Sequence, residues 1–193
     1  MKTSILFYNR INYLLRDKLL ASNRLTKDIA NGLEADVCVI EFGGNDCDYR
    51  WPELFEKGPD NFFPNTKLED FEMHLSEMVH EVQDNKMFPV LMTLPPLVAE
   101  GYFNVISEGL DKEKLLEWMH DPGYLYREQE LYSDAVANFA KENDVFLIDL
   151  RKQFLLRRDS PKLMCEDGIH PNVNGHIFMA TYLDKVFKEN FDI

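Results

Sequence analysis

Two short motifs contain side chains of the types that catalyse acyl transfer. One is Gly43-Gly44-Asn45-Asp46, and the other, much further along the chain, is Asp167-Gly168-Ile169-His170-Pro171-Asn172. The spacing of Asp167 and His170 allows one tight turn to hold a carboxylate against an imidazole, which fixes the tautomer of the ring and stabilises its protonated form. We therefore predict that His170 is a general base and that Asp167 orients it. A turn stabilised only by hydrogen bonds is the alternative.

The first motif offers a hydrogen-bond donor. An amide on a glycine-rich loop, such as that of Asn45, can donate to the oxyanion of a tetrahedral intermediate with little obstruction from the backbone. A turn-capping asparagine is the alternative interpretation. We expect Gly43, Gly44 and Asp46 to support the loop, with the Asp46 carboxylate accepting backbone hydrogen bonds and taking no part in chemistry.

Alternating strands and helices are expected to position both motifs. Short apolar, β-branched runs predict buried parallel strands, and apolar residues at helical spacing predict helices between them. The predicted strands are 37–42, 89–94 and 145–149, and the predicted helices are 68–85 and 132–143. This order is typical of α/β proteins. In open parallel sheets the ligand crevice lies beyond the carboxyl ends of the strands, where residues 43–46 would be presented.

The start of the first predicted helix carries a capping signal. The sequence Thr66-Lys67-Leu68-Glu69 has the form of a capping box, in which Thr66 caps the helix and Glu69 reaches back. We therefore predict that Thr66 is the N-cap residue.

Two segments that follow predicted strands, 48–65 and 95–130, are longer than plain connections. They carry aromatic residues, among them Trp51, Phe55, Phe62, Phe63, Tyr102, Phe103, Trp118, Tyr124 and Tyr126. Such side chains usually anchor long loops to the core, and alternatively they wall a pocket for an apolar or sugar-like group. They are candidates for specificity and not for chemistry.

Length, composition and charge limit the fold and the partners. The chain has 193 residues, of which 45% are hydrophobic, and this suits a single domain spanning residues 1–193. Its net charge of −13 would repel a phosphate backbone, so we expect no nucleic-acid partner. No apolar run is long enough for a membrane span, and the first residues lack the apolar core of a secretion signal.

Cysteine and histidine positions bear on cofactors and on the compartment. Cys38, Cys47 and Cys165 are an odd set without metal-ligand spacing, which favours a reducing cytoplasm. The other histidines are scattered, without carboxylate or thiolate partners at ligand spacing: His74, His80, His120 and His176. We therefore expect neither a metal site nor a cofactor.

The two motifs together resemble conserved blocks of a known family. Residues 39–46 (Val-Ile-Glu-Phe-Gly-Gly-Asn-Asp) are similar to the third block of the SGNH (GDSL-like) hydrolases, and residues 167–172 are similar to their fifth. The resemblance runs from about Gly32 to the C-terminus. It implies a flavodoxin-like three-layer α/β/α sandwich with a mostly parallel sheet, and hydrolysis of ester bonds in lipids, acyl groups or acetylated sugars. It also implies that Asn45 is an oxyanion-hole side chain, His170 the general base and Asp167 its orienting carboxylate.

The N-terminal part departs from the family pattern because its Gly-Asp-Ser block is not evident. If residues 4–11 align with the family's first block, Arg10 stands at the position of the nucleophilic serine. Residues 23–26 are most similar to the second block, and Thr26 there takes the place of its glycine. Only about 28 residues separate Tyr8 from Val37, which is short for the helix, strand and second helix that the family usually has there, and this favours the loss of one N-terminal edge strand.

Three explanations of the missing nucleophile stay open. The chain is a truncated product, or it is a degenerate relative that binds an acyl or glycan ligand without hydrolysing it. Alternatively, another serine completes its active site. Of these the first two are favoured, and Ser22 is the serine best placed for the third. We expect a small-molecule ester as substrate. A lost edge strand would expose unpaired backbone and favour a homo-oligomer.

Overall fold

Four parallel strands form the central sheet of the part of the chain that the structure describes. The structure is a computed structural model, and it describes residues 3–9, 21–32 and 35–191. The strands lie side by side in chain order: β1 (Ile5–Asn9), β2 (Val37–Glu41), β3 (Phe88–Met92) and β4 (Phe146–Ile148). Asn9 at the end of β1 pairs with Glu41 at the end of β2. The carboxyl ends of the strands therefore meet at one edge of the sheet.

Helices cover both faces of this sheet. The described α-helices are α1 (Ala21–Ala30), α2 (Pro52–Lys57), α3 (Leu68–Asp84), α4 (Ala99–Ile106), α5 (Lys112–Met119), α6 (Gly123–Glu142), α7 (Leu150–Leu155) and α8 (Val173–Asn190). The crossover helices α1, α3 and α6 pack on one face, as right-handed connections between successive neighbouring strands require. The other face carries α7 and α8. None of the described helices is long and apolar enough to cross a membrane.

The core lies on both sides of the strands. Along β2, Cys38 and Ile40 face the crossover helices, whereas Val37 and Val39 face α7 and α8. All four side chains are buried, as expected for a strand that is covered on both faces. The predicted three-layer α/β/α sandwich with a parallel sheet is thus confirmed.

The predicted elements differ from the observed ones mainly at their ends. The predicted helix at 132–143 is the second half of α6, which begins at Gly123. Gln129 lies on the buried face of α6 one turn before Tyr132, and its side-chain oxygen accepts a hydrogen bond from the Leu97 backbone N–H at 2.8 Å. A polar residue at this inward position interrupts the apolar periodicity that predicted the helix.

The predicted capping box at the start of α3 is wrong. Lys67 is the N-cap residue, and no side chain caps this end of the helix. The Thr66 hydroxyl instead donates to the Asp46 carboxylate, with 2.8 Å between Oγ1 and Oδ1. A hydrogen bond to an ionised carboxylate is stronger than one to a neutral acceptor. Thr66 therefore stabilises a tertiary contact in place of a cap.

In the described sheet β1 lies at the edge, and no described strand pairs with its outer side. At the opposite end from the site, the Ser4 backbone N–H and hydroxyl donate to Asp36 Oδ2 at 2.7 and 2.8 Å. These two hydrogen bonds lower the pKa of the Asp36 carboxyl. These bonds join the N-terminal ends of β1 and β2. The nucleophile position predicted at Arg10 lies outside the described residues.

Candidate active site

Asp167 and His170 lie on the turn that precedes α8, and they are in direct contact. Asp167 Oδ2 lies 2.7 Å from His170 Nδ1. Because an ionised carboxylate only accepts, Nδ1 carries the proton, and the Nε2 lone pair is available to act as a base. Partial burial of Asp167 raises its pKa, but hydrogen bonds from the His170 side chain and from two backbone N–H groups outweigh burial, so the pKa is lowered. The carboxylate therefore stays ionised near neutral pH.

The backbone of this turn is fixed at several points. Gly168 has a φ of +76°, a conformation that L side chains rarely adopt. Its carbonyl accepts a hydrogen bond from the Val98 N–H at 2.7 Å, and its own N–H donates to the Cys165 carbonyl at 3.0 Å. The Cys165 N–H donates to the His170 carbonyl at 2.7 Å. The turn is held both internally and against the start of α4.

Asn172 ends the turn and begins α8. Its side-chain oxygen accepts from the N–H groups of Asn174 and Gly175 at 3.0 and 3.1 Å, which is an N-cap. Its side-chain nitrogen donates to the carbonyls of Lys162 and Met164 at 2.8 and 3.0 Å. One side chain thus joins the last helix to the segment before the turn.

The loop after β2 carries Asn45. Gly43 has a φ of +123°, which favours glycine, and its carbonyl accepts from the Cys47 N–H at 2.9 Å. Asp46 Oδ2 accepts a hydrogen bond from the Gly43 N–H at 3.2 Å. Asn65 donates from its side chain to the Asn45 carbonyl at 2.9 Å. The Asn45 main chain is therefore held in place, and its half-buried side-chain amide donates to no other described residue.

A cavity of about 590 Å³ brings the two motifs together. Both Asn45 and His170 line it, although they are far apart in the chain. Its walls come from the loop after β2, the segment after β3, one side of α6, the turn that carries His170 and one side of α8. The cavity lies beyond the carboxyl ends of the strands, where parallel sheets bind ligands.

Serine and threonine are absent from the described residues that line this cavity. The hydroxyl groups on its walls belong to Tyr49 and Tyr102. That of Tyr49 lies 2.7 Å from the Tyr124 hydroxyl and donates to Glu128 at 3.0 Å, and burial raises its pKa. Within the described part of the chain, no hydroxyl is hydrogen-bonded to the His170 ring.

The two N-terminal candidates lie in α1. Ser22 is in its first turn, and the side chain is outside the described residues. Because α1 connects two parallel strands, its first turn lies near the edge of the sheet that carries the site. Thr26 is exposed in the middle of α1 and does not line the cavity. A backbone N–H inside a helix donates to a carbonyl of the preceding turn, so that of Thr26 is not an oxyanion donor.

Most of the predicted aromatic residues anchor loops, and two line the cavity. Those two are Trp51 and Tyr102. A third aromatic wall residue, Tyr49, was not predicted, and its ring packs on Phe62 and Trp118 with centroids 4.9 and 5.5 Å away. The long segments thus pack mainly on each other and present only a few rings to the cavity.

Sequence reasoning also missed carboxylates on the cavity wall. Asp48 accepts a hydrogen bond from the Trp51 indole N–H at 3.0 Å, and burial raises its pKa. Glu128 of α6 reaches the same wall. Acidic residues are common on exposed helices and loops, so neither position carried a signal. Among the described residues no group of three or more potential ligands could hold a metal ion.

Comparisons with solved structures give the same fold. A lipase/acylhydrolase from Enterococcus faecalis superimposes with a TM-score of 0.60 at 16% identity, over 98% of this chain and 96% of that one. A catalytic mutant of an acetylxylan esterase from Geobacillus stearothermophilus gives a TM-score of 0.58 at 21% identity, over 88% of this chain and 68% of that one. A GDSL-like lipase from Bacteroides thetaiotaomicron gives 0.57 at 16% identity, over 88% and 69%.

Sequence comparison identifies the family. No curated protein matches the chain. The family model described as GDSL-like Lipase/Acylhydrolase matches residues 12–177, which is most of the sequence and includes both motifs. The resemblance seen in the two motifs is thereby confirmed, and the chain belongs to the GDSL-like lipase/acylhydrolase family of ester hydrolases.

Proposed function

We propose that the protein binds a small-molecule ester in this cavity and hydrolyses it with His170 as general base. One observation carries the proposal. The His170 ring is held by Asp167 at 2.7 Å, and the same ring lines the cavity together with Asn45. A base, its orienting carboxylate and an oxyanion donor around one cavity support ester hydrolysis.

Each group would have a distinct role. His170 Nε2 takes the proton of the attacking hydroxyl, and the ionised Asp167 stabilises the imidazolium that forms. The Asn45 amide donates to the oxyanion of the tetrahedral intermediate. The imidazolium then returns its proton to the departing alcohol. These steps need no metal ion or cofactor.

The attacking hydroxyl has two candidate sources. Ser22 is one, because the first turn of α1 lies near the edge of the sheet that carries the site. Water activated directly by His170 is the other. A serine would form an acyl-enzyme, whereas water would give the product in one step. Substitution of Ser22 distinguishes the two routes.

The test is hydrolysis of p-nitrophenyl acetate by the purified chain and three variants. We expect His170→Ala to abolish the activity and His176→Ala, a second histidine on the cavity wall, to retain it. Loss of activity in Ser22→Ala relative to the wild type would identify the serine route, and full activity of this variant would favour water. A rate that His170→Ala leaves unchanged would overturn the proposal.

Binding without hydrolysis is a second candidate function. It is favoured by the lack of serine and threonine among the described residues on the cavity wall. Acetylated xylo-oligosaccharides are suitable first ligands, since a fold neighbour is an acetylxylan esterase. Titration followed by the fluorescence of the two tryptophans, of which Trp51 lines the cavity, should saturate while no acetate is released. Acetate release that depends on His170 would exclude this candidate.

The proposal extends to compartment and assembly, and other observations support it. The three cysteines are unpaired, which supports a reducing compartment such as the cytoplasm. The net charge of −13 supports the expectation of no nucleic-acid partner. The position of β1 at the edge of the described sheet favours pairing with a second copy. Light scattering that shows only monomers would contradict the last point.

A further inference from the structure

The base-carrying turn and the first turn of α4 touch through two glycines. Gly101 lies in α4, and Gly168 lies between Asp167 and His170. A Cβ atom built on Gly101 would come within 2.8 Å of the Glu166 carbonyl oxygen and 3.0 Å of the Gly168 Cα and N atoms. These are backbone atoms, which cannot move aside as a flexible side chain can. The contact therefore requires glycine at position 101.

The contact is equally close from the other side. A Cβ atom on Gly168 would overlap the Val98 carbonyl oxygen and come within 2.7 Å of the Tyr102 N atom. The hydrogen bond from the Val98 N–H to the Gly168 carbonyl, at 2.7 Å, lies beside this contact. The backbone of the first turn of α4 thus packs directly against the backbone of the other turn at Gly168, the residue after Asp167.

Glycine is otherwise unfavourable inside a helix. It has a lower helix propensity than alanine. Helix propensity alone therefore predicts that Gly101→Ala stabilises α4. The close approach of Glu166 and Gly168 predicts the opposite, because an added methyl group would push the base-carrying turn away from the helix.

The same turn of α4 also reaches the other half of the site. The Tyr102 side chain donates a hydrogen bond to the Asp48 carboxylate, which follows the loop of Asn45. Adjacent residues of one helix turn thus contact the segment after Asn45 and the turn of His170. The first turn of α4 fixes one part of the site relative to the other.

We infer that Gly101 is a positioning residue for the general base. Because Gly101 has no side chain, the turn can pack closely on α4, and this packing positions Asp167 against His170. The inference rests on the proposed role of His170 as base. Gly101 itself touches no substrate and acts only through the backbone of the turn.

The test reads the His170 tautomer directly, by ¹⁵N NMR of the imidazole nitrogens at alkaline pH. In the wild-type protein we expect the proton on Nδ1. In Gly101→Ala we expect a shift toward the Nε2–H form that free imidazoles favour, together with a lower kcat and little change in KM wherever turnover is measurable. An unchanged tautomer in a folded Gly101→Ala protein would overturn the inference.

Asn104→Ala is the matched control because it adds helix propensity at an exposed position of the same helix. It should leave the His170 tautomer unchanged, and a shift there equal to that of Gly101→Ala would also overturn the inference. The tautomer is measured without substrate. An absence of ester hydrolysis in every protein would therefore contradict the proposed function and leave this test intact.

A second measurement needs no variant and serves if Gly101→Ala does not fold. Amide exchange of Val98, which donates to Gly168, should be as slow as that of Cys165, which donates to His170. Equal protection supports a turn that is held on α4. Fast exchange at Val98 beside slow exchange at Cys165 would overturn the inference, because the turn would then be stable without the helix.

Discussion

Asp167 binds His170 at two points, one on the side chain and one on the backbone. Its Oδ2 lies 2.7 Å from the ring Nδ1, and its Oδ1 accepts the backbone N–H of His170 at 3.0 Å. The carboxylate therefore fixes both the ring and the peptide to which the ring is attached. Rotation of the ring away from Asp167 breaks one of these bonds and leaves the other intact.

Asp167→Asn should reduce any hydrolysis that depends on His170. The amide can donate to Nδ1 and so favours the wrong tautomer, an effect on the order of 10⁴-fold in a serine protease triad. The measurement is kcat on p-nitrophenyl acetate. Glu166→Gln makes the same change of charge at an exposed neighbouring position and should leave kcat nearly unchanged. Equal losses in the two variants would contradict the assigned role.

The pH dependence of stability should reveal the same carboxylate. The pKa of Asp167 is lower in the folded protein than its ordinary value of 3.8. The ionised form therefore contributes stability above that value, and the contribution is lost as the pH falls through the folded-state pKa. We expect the difference in Tm between the wild type and Asp167→Asn to be largest near neutral pH and to shrink in acid. A Tm difference that stays constant from neutral to acidic pH would contradict a stabilising contact between Asp167 and His170.

Asn45→Ala should lower the hydrolysis rate without unfolding the protein. Removal of one oxyanion-hole donor costs about 10²- to 10³-fold in kcat. Because the Asn45 side chain donates to no other described residue, the Tm should change little. Asn61→Ala removes an exposed amide of the same kind and serves as the control. An Asn45→Ala enzyme with normal kcat would show that this amide does not contact the oxyanion.

Asp46→Ala should act on stability. The substitution removes the acceptor for the Gly43 N–H and for the Thr66 hydroxyl, and it leaves both donors without this partner. Such a loss costs about 1–3 kcal/mol of unfolding free energy, which urea denaturation can measure. Asp60→Ala, at an exposed position nearby, should be close to neutral. Equal effects of the two substitutions would contradict this view of the loop.

The sequence was most informative where a structure depends on residues that are close together in the chain. The β-branched run before Gly43 predicts a buried strand, and the three-residue spacing of Asp167 and His170 predicts the turn that brings them together. Thr66 was misread because its best acceptor, Asp46, lies on another segment. Gly101 carried no signal at all, since the backbone that excludes a side chain there comes from residues 166 and 168.

The hydrogen bonds around the turn of His170 also affect ligand binding. Val98 holds the turn at Gly168, and Asn172 fixes the start of α8 directly behind it. The conformational entropy of the His170 ring is therefore lost during folding and not when a ligand enters the cavity. If His170 is the base, as proposed, this pre-organisation leaves more of the interaction energy of an ester for distinguishing its transition state from its ground state.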